Sequence, residues 1–239
     1  MTTRQSPFDP YMPQFGCVCL VLALCSLCLL PFLVINFMEQ ALRNLHLPAW
    51  LATLTVFGII VGSLINLPLY RVDREAKQPV MRGYMVPGLG WVPLPREEQQ
   101  TVVAVNVGGC LIPTALAIFE ARHVWDVPQA RWGMLVAVLV NVAVCFWLAR
   151  PIRGVGIAIP AFVPPILAVS MAWLMLGSDL TGELRAPVAF VAGVAGPLIG
   201  ADLLNLRRFE QLHTGIISIG GAGTFDGIVI SGLMAAFFA

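Results

Sequence analysis

The sequence contains few charged side chains. Only 11% of its 239 residues are Asp, Glu, Lys or Arg, whereas these residues make up about a quarter of a typical soluble domain. Because so few charges cannot cover a surface that faces water, an ordinary soluble globular domain is excluded. The formal net charge of +1 at pH 7 also leaves no basic excess that would attract a nucleic acid.

Residues that bind metals or form disulfides are also few or poorly placed. His46, His123 and His213 each stand alone in a predicted loop, so we expect no metal site and no cofactor. All six cysteines fall in predicted apolar spans, which argues against a disulfide framework. Cys25 and Cys28 have the spacing of a redox motif, but no base is near them. We expect these thiols to behave as small hydrophobic groups.

Hydrophobic residues, by contrast, make up 58% of the chain. A helix needs about 20 apolar residues to cross a bilayer. Runs of that kind occupy residues 15–37, 49–70, 101–121, 132–149, 155–176, 185–206 and 214–238. We therefore predict an all-α fold, a polytopic membrane bundle of about seven transmembrane helices. It forms a single integral membrane domain over residues 1–239, with lipid as its main partner and residues 71–100 as an interfacial loop.

The distribution of Lys and Arg predicts the orientation. The amino-terminal tail and the loops after the second, fourth and sixth spans carry ten of these residues, and the opposite loops carry four. Because basic loops stay on the cytoplasmic side, we predict a protein of the inner (cytoplasmic) membrane with its amino terminus in the cytoplasm and its carboxyl terminus outside.

Short strings in the chain repeat. Gly62–Pro68 is echoed by Gly196–Asp202, and Asn106–Cys110 is echoed by Ser218–Ala222. Four spans separate the copies, so the repeat would be a parallel duplication unless the short match is a coincidence. The second copy carries two aspartates where the first has none.

These two aspartates, Asp202 and Asp226, lie inside predicted spans, whereas the other acidic residues lie in tails, loops or the ends of spans. A carboxyl group in hydrocarbon costs a few kcal/mol, so such a residue is a candidate functional site that faces the bundle interior. Two alternatives remain open: hydrogen bonding between packed helices, and extension of Asp202 toward the interface near Arg207.

Two stretches predict breaks in the helices. Residues 215–226 are too rich in glycine for a regular helix, and an irregular backbone at membrane depth lines a wet cavity or lies buried in protein. Residues 159–165 contain three prolines, which either unwind the fifth span or only kink it. Asn66, Asn106, Asn141 and Asn205 lie in or at the ends of spans, where amides bond across helices.

A shared cavity would give the two carboxyls different roles. Asp226, in the first turn of a half-helix, would be the base, and protonated Asp202 would be the acid. The residues that we expect to contact a substrate are Gly220, Gly221, Gly223, Pro160, Ala161 and Phe162. Those that we expect to line the cavity are Asn106, Gly200 and Asn205.

Four strings carry a resemblance to known families: 106–109, 160–162, 200–206 and 220–227. They look like an uncharacterised family of prokaryotic multi-span membrane proteins, a domain of unknown function, which implies no activity. A weaker similarity is to presenilins, signal peptide peptidases and prepilin peptidases, whose aspartate pair uses a G-x-G-D string and, in presenilins, a P-A-L element. Here Asp226 lies two residues further from the glycines, Phe162 replaces the leucine, and the proline element comes first.

Three functions fit these features. The first is an intramembrane aspartyl protease that cleaves transmembrane peptides with the aspartate pair. The second is a secondary transporter or channel in which an intramembrane aspartate carries a proton or a cation. The third is a noncatalytic membrane scaffold whose polar residues hold helices together. The distance between the two carboxyls separates the first function from the others.

Overall fold

A computed structural model describes residues 12–73, 83–86, 90–93, 100–152, 156–177, 182–206 and 216–239. Most of these residues are helical. The helices are α1 (Met12–Arg43), α2 (Ala49–Gly62), α3 (Ile112–Trp125), α4 (Pro128–Leu148), α5 (Val163–Leu176), α6 (Arg185–Ala195) and α7 (Gly227–Phe238). Two wider, π-helical segments extend this set: Val107–Leu111 leads into α3, and Gly196–Asp202 continues α6.

The chain also contains β-strands, so the predicted helical fold is confirmed only in part: most of the described residues are helical, but the fold is not all-α. The strands are β1 (Asn66–Asp73), β2 (Gly83–Val86), β3 (Gly90–Pro93), β4 (Gln100–Asn106), β5 (Arg150–Ile152), β6 (Gly156–Ala158) and β7 (Ile216–Ile219). β4 pairs with β1 in antiparallel and with β7 in parallel orientation, while β2–β3 and β5–β6 form two-stranded sheets. The strands β1, β4 and β7 replace the ends of predicted helical spans.

Two of the described helical segments are long and apolar enough to cross a membrane, Pro128–Leu148 with 21 residues and Gly182–Asn205 with 24. α2, α5 and α7 are apolar but have only 14, 14 and 12 residues. Seven transmembrane helices are therefore not confirmed in the described part of the chain. On α4, Leu139 and Trp147 are 68% and 82% exposed, as expected for a helix that faces lipid.

Neither of the two predicted breaks divides a helix in two. α5 begins only at Val163, so Pro164 and Pro165 lie in its first turn, where a missing N–H costs nothing. The prolines begin the helix and do not kink it. Residues 216–226 form β7, a turn and the 3₁₀ helix Gly223–Phe225, and residue 215 lies outside the described ranges.

The core forms around α6. Its residues 186–194 are all buried, and α6 packs against α3, α4, α5 and α7. Small residues permit close packing, since a Cβ on Gly193 would lie 2.8 Å from the Ser231 backbone oxygen. The Asn141 side chain donates hydrogen bonds to backbone oxygens of Pro164 and Ala192, which joins α4 to α5 and α6.

The three-stranded sheet lies at one end of the bundle. Asn44, after α1, donates hydrogen bonds to the backbone oxygens of Ala236 and Phe237, so α1 and α7 end at the same level. Ser63, after α2, contacts Thr224, before α7. α2 and α7 are therefore antiparallel, and the sheet lies where α2 ends and α7 begins.

Residues 71–100 contribute to β1, the β2–β3 hairpin and β4. The interfacial position of this segment stays a prediction, and part of it lies outside the described residues.

Candidate functional site

Asp202 and Asp226 come together. They are 24 positions apart in the sequence, yet their carboxyls lie close enough to interact electrostatically. Asp202 ends the π-helical segment that continues α6, and Asp226 directly precedes α7. Both side chains are half-buried. The structure therefore brings the two acids that the sequence singles out into one neighbourhood.

The two carboxyls have different hydrogen-bond environments. Asp226 is the N-cap of α7, with extended backbone angles of φ −70° and ψ 149°. Its Oδ1 accepts a hydrogen bond from the Ile228 backbone N–H at 2.9 Å, which is the usual role of a capping aspartate. Asp202 precedes the 3₁₀ helix Leu203–Asn205, but its side chain makes no capping bond there. Only Asp226 thus combines a backbone donor with the positive end of a longer helix.

Glycines bring the segment that carries Asp202 against α4. A Cβ on Gly200 would lie 2.3 Å from the Val142 backbone oxygen, and one on Gly196 would lie 2.7 Å from the Asn141 side chain. Larger residues at either position would push the segment away from α4. Gly200 therefore sets the position of the Asp202 backbone, a role different from the predicted lining of a cavity.

Asn205 has a similar role. Its Nδ2 donates hydrogen bonds to the backbone oxygens of Gly200 and Ala201, both at 2.9 Å. These carbonyls lie in the π-helical segment, where regular i→i−4 bonding is lost. Asn205 is 1% exposed, and its amide stabilises the irregular backbone next to Asp202.

Two cysteine thiols lie near the aspartate pair. Cys110, 5% exposed on the π-helical segment before α3, interacts electrostatically with both carboxyls. Cys145, on α4, interacts with Asp202. The sequence placed these two cysteines in apolar spans and gave no indication of their proximity to the site. Among the described residues, no group of three or more His, Cys, Asp or Glu side chains is placed to hold a metal ion.

The proline element lies beside Asp226. The Ile159 side chain is 4.0 Å from the point where a Cβ on Gly227 would lie, so the segment before α5 passes the first residue of α7. Pro160, Ala161 and Phe162 follow Ile159 and are all exposed. The predicted contact of these three residues with a substrate stays a prediction. They directly follow Ile159, which lies beside Gly227, the residue after Asp226.

The glycines of residues 220–223 pack against the chain itself. Gly220 and Gly223 have positive φ angles of 70° and 62°, which residues other than glycine rarely adopt. The Gly220 backbone oxygen lies 2.0 Å from the position of a Cβ on Gly109. Gly220 and Gly223 are buried, whereas Gly221 is exposed. The backbone angles and close packing of Gly220 and Gly223 therefore require glycine whether or not a substrate binds. The predicted contact of Gly220, Gly221 and Gly223 with a substrate stays a prediction.

Asn106 is fully buried and caps the π-helical segment Val107–Leu111. Its Oδ1 accepts a hydrogen bond from the Gly109 N–H at 2.7 Å. Its Nδ2 donates to the Ser63 backbone oxygen at 2.8 Å and to the Asn66 Oδ1 at 3.1 Å. Asn106 therefore links the segment Ser63–Asn66 to the first turn of the π-helical segment, and the prediction that it lines a cavity stays a prediction.

A buried acid away from the pair was missed. Glu120, on α3, is 3% exposed, and its Oε1 has no hydrogen-bond partner in the described part of the chain. The sequence placed it at the end of a span, although the apolar spacing of Pro113, Ala117 and Val124, which share its buried face, could have indicated its burial. His123, expected in a loop, lies exposed on the same helix.

A surface cavity of about 510 Å³ occurs at the carboxyl end of α3. Its lining consists of Ile118, Ala121, Arg122, Trp125 and Asp126. Neither aspartate of the pair contributes to this lining. The hydrated cavity predicted beside Asp226 therefore stays a prediction.

Comparisons with known proteins identify a family but no activity. No curated protein and no solved structure matches the chain, and the similarity to presenilin-type proteases remains a likeness of short strings. A family model matches residues 60–238, a range that includes the aspartates and all the residues predicted to surround them. The chain belongs to the family described as protein of unknown function DUF1614.

Proposed function

We propose that this protein is an intramembrane aspartyl protease in which Asp202 and Asp226 form the catalytic pair. The observation that supports this function is the proximity of the two carboxyls, which lie at the ends of separate helical segments and are close enough to interact electrostatically. Neighbouring carboxyls do not ionise together easily, so one tends to keep a proton while the other loses it. Such a pair can act as an acid and a base at once.

The different surroundings of the two carboxyls assign the roles. The Ile228 N–H and the amino end of α7 stabilise a carboxylate at Asp226. Asp202 lacks a capping bond, and this favours the neutral acid there. Asp226 is therefore the general base in the proposed mechanism, and Asp202 is the general acid.

The reaction begins with a water molecule between the carboxyls. Asp226 takes a proton from the water, whose oxygen attacks the peptide carbonyl carbon, while Asp202 gives its proton to the carbonyl oxygen. The product is a neutral tetrahedral diol. Asp226 then passes its proton to the amide nitrogen, Asp202 recovers a proton from one hydroxyl, and the C–N bond breaks. Both carboxyls return to their starting states.

The proposed substrate is a transmembrane peptide. α7 has 12 residues and is therefore about 18 Å long, so Asp226 lies well within a hydrocarbon layer about 30 Å thick. The exposed Pro160–Phe162 segment is next to it and offers a surface for the peptide. In this proposal the protein lies in the inner membrane, with its amino terminus in the cytoplasm.

Conservative replacement of either aspartate tests the function. In purified protein reconstituted with a panel of single-span peptides, Asp202→Asn and Asp226→Asn should each reduce the cleavage rate by about 10²–10⁴-fold, because each removes a proton-transfer group. The matched control is Asp126→Asn, at the exposed end of α3, which should cleave at the rate of the unmodified protein. Cleavage that survives both substitutions would exclude the proposed mechanism.

Ion transport is the second candidate function. The segment before α5 meets the first residue of α7 through Ile159 and Gly227, and short helices that begin at irregular segments are typical of ion sites in transporters. In vesicles containing a pH-sensitive dye, this function predicts proton flux that Asp226→Asn abolishes and Asp126→Asn leaves intact. Peptide cleavage without flux would favour the protease.

A further inference from the structure

A set of polar side chains joins three distant segments next to Asp226. It consists of Ser63, Asn66, Asn106, Ser218 and Thr224, which we call the polar clamp. Asn106 binds the Ser63 backbone and the Asn66 side chain. The Ser218 hydroxyl donates to the Asn66 Oδ1 at 2.6 Å, and the hydroxyls of Ser63 and Thr224 are 3.1 Å apart.

The clamp connects the first half of the chain to the segment that carries the base. Ser63 and Asn66 follow α2, and Asn106 ends β4, whereas Ser218 and Thr224 lie in β7 and in the 3₁₀ helix before α7. Asn106 is 0% exposed. Polar groups in an apolar setting are costly unless they bond to each other, so these bonds select one arrangement of the three segments.

Backbone contacts tighten the same junction. A Cβ on Gly223 would lie 2.5 Å from the Ser63 Cβ, and one on Gly109 would lie 2.0 Å from the Gly220 oxygen. Local hydrogen bonds also stabilise the 3₁₀ helix. The Gly223 N–H donates to the Gly220 oxygen at 2.9 Å, and the Asp226 N–H donates to the Gly223 oxygen at 3.0 Å. The backbone between Thr224 and Asp226 therefore has little room to move.

From this geometry we infer that Thr224 and Ser63 are positioning residues that set where Asp226 stands relative to Asp202. The inference rests on the proposed protease function for its kinetic consequences. Thr224 is two residues from Asp226, so a displaced Thr224 displaces the carboxyl. Misplacement of a reacting group by about 1 Å can cost on the order of 10²-fold in rate.

The kinetic test replaces Thr224 with valine, which has nearly the same shape as threonine but lacks the hydroxyl. We expect Thr224→Val to lower kcat for peptide cleavage by about 10-fold to 10²-fold with KM nearly unchanged. Thr224→Ser, which restores the hydroxyl, should recover most of the rate. The matched control is Thr55→Val, because the Thr55 hydroxyl donates to the Leu51 backbone oxygen within α2. Equal kcat for Thr224→Val and Thr55→Val would overturn the inference.

A second test needs no activity. In protein whose native cysteines are replaced by alanine, Asp202→Cys and Asp226→Cys introduce a thiol pair, and a short bifunctional reagent reports how often the thiols meet. Adding Thr224→Val or Ser63→Ala should slow cross-linking, and adding Thr55→Val should not. An unchanged cross-linking rate with both clamp variants would refute the positioning role. Slower cross-linking in the clamp variants, together with no peptide cleavage by the unmodified protein, would support the clamp and reject the protease function.

Discussion

Substituting Gly109 with alanine is expected to lower the free energy of unfolding by about 3 kcal/mol, at the upper end of overpacking effects. The added Cβ would lie 2.0 Å from the Gly220 backbone oxygen and 3.1 Å from the Gly223 Cα. Both are backbone atoms that no change of rotamer can move aside. The 220–223 turn must shift as a whole, and Asp226 shifts with it, so the site should be lost together with the stability.

Unfolding in detergent, followed by helical circular dichroism during titration with a denaturing detergent, measures this effect. The control is Gly227→Ala, because the nearest atom to its Cβ, on the flexible Ile159 side chain, is 4.0 Å away. Its stability should stay within about 1 kcal/mol of the unmodified protein. If the two alanine variants unfold at the same point, the close contact between Gly109 and the 220–223 turn does not exist.

The second large effect is expected at Asn141. Its Nδ2 donates hydrogen bonds to the backbone oxygens of Pro164 at 3.1 Å and Ala192 at 2.9 Å, and the residue is 0% exposed. Asn141→Asp preserves the shape but places an oxygen against two carbonyl oxygens in the core. We expect a loss of about 3 kcal/mol or more, because both donors disappear and a buried charge or an unsatisfied acid remains.

Asn36→Asp provides the comparison, since Asn36 is exposed on α1 and its amide bonds Phe32 within that helix. The same unfolding titration should show a small change for this variant. Comparable losses for the two aspartate variants would mean that the Asn141 amide does not hold α4, α5 and α6 together.

The two candidate acids could be identified from the sequence. Asp202 and Asp226 stand out because the other acids were assigned to tails, loops or the ends of spans, and a carboxyl in hydrocarbon is costly. Their contact could not be predicted, because each lies on its own segment and no local pattern specifies how α6 and α7 pack. Glu120 was missed for the same reason: burial at the end of a span depends on the neighbouring helix.

The strands were missed because apolar runs do not distinguish a strand from a buried helix. Residues 102–105 and 216–219 are rich in valine and isoleucine, which favours strands, but each run adjoins a longer apolar segment that is helical. The pairing of β4 with both β1 and β7, with Val105 beside Ile219, satisfies the backbone of these segments in extended form. The prolines at 164 and 165 are ambiguous for a similar reason. Proline breaks a helix in its interior but is common in the first turn of a helix, and the sequence alone does not show where α5 begins.

The amino-acid sequence by itself determined that this protein is apolar and largely helical, and that two of its acidic residues lie within apolar segments. Composition and the cost of a buried charge can be assessed residue by residue. Only the tertiary structure decided which apolar runs became strands, how Asn106 and Thr224 connect distant segments, and whether Asp202 meets Asp226. These features depend on contacts between residues far apart in the chain, and the energy of such a contact is absent from either segment taken alone.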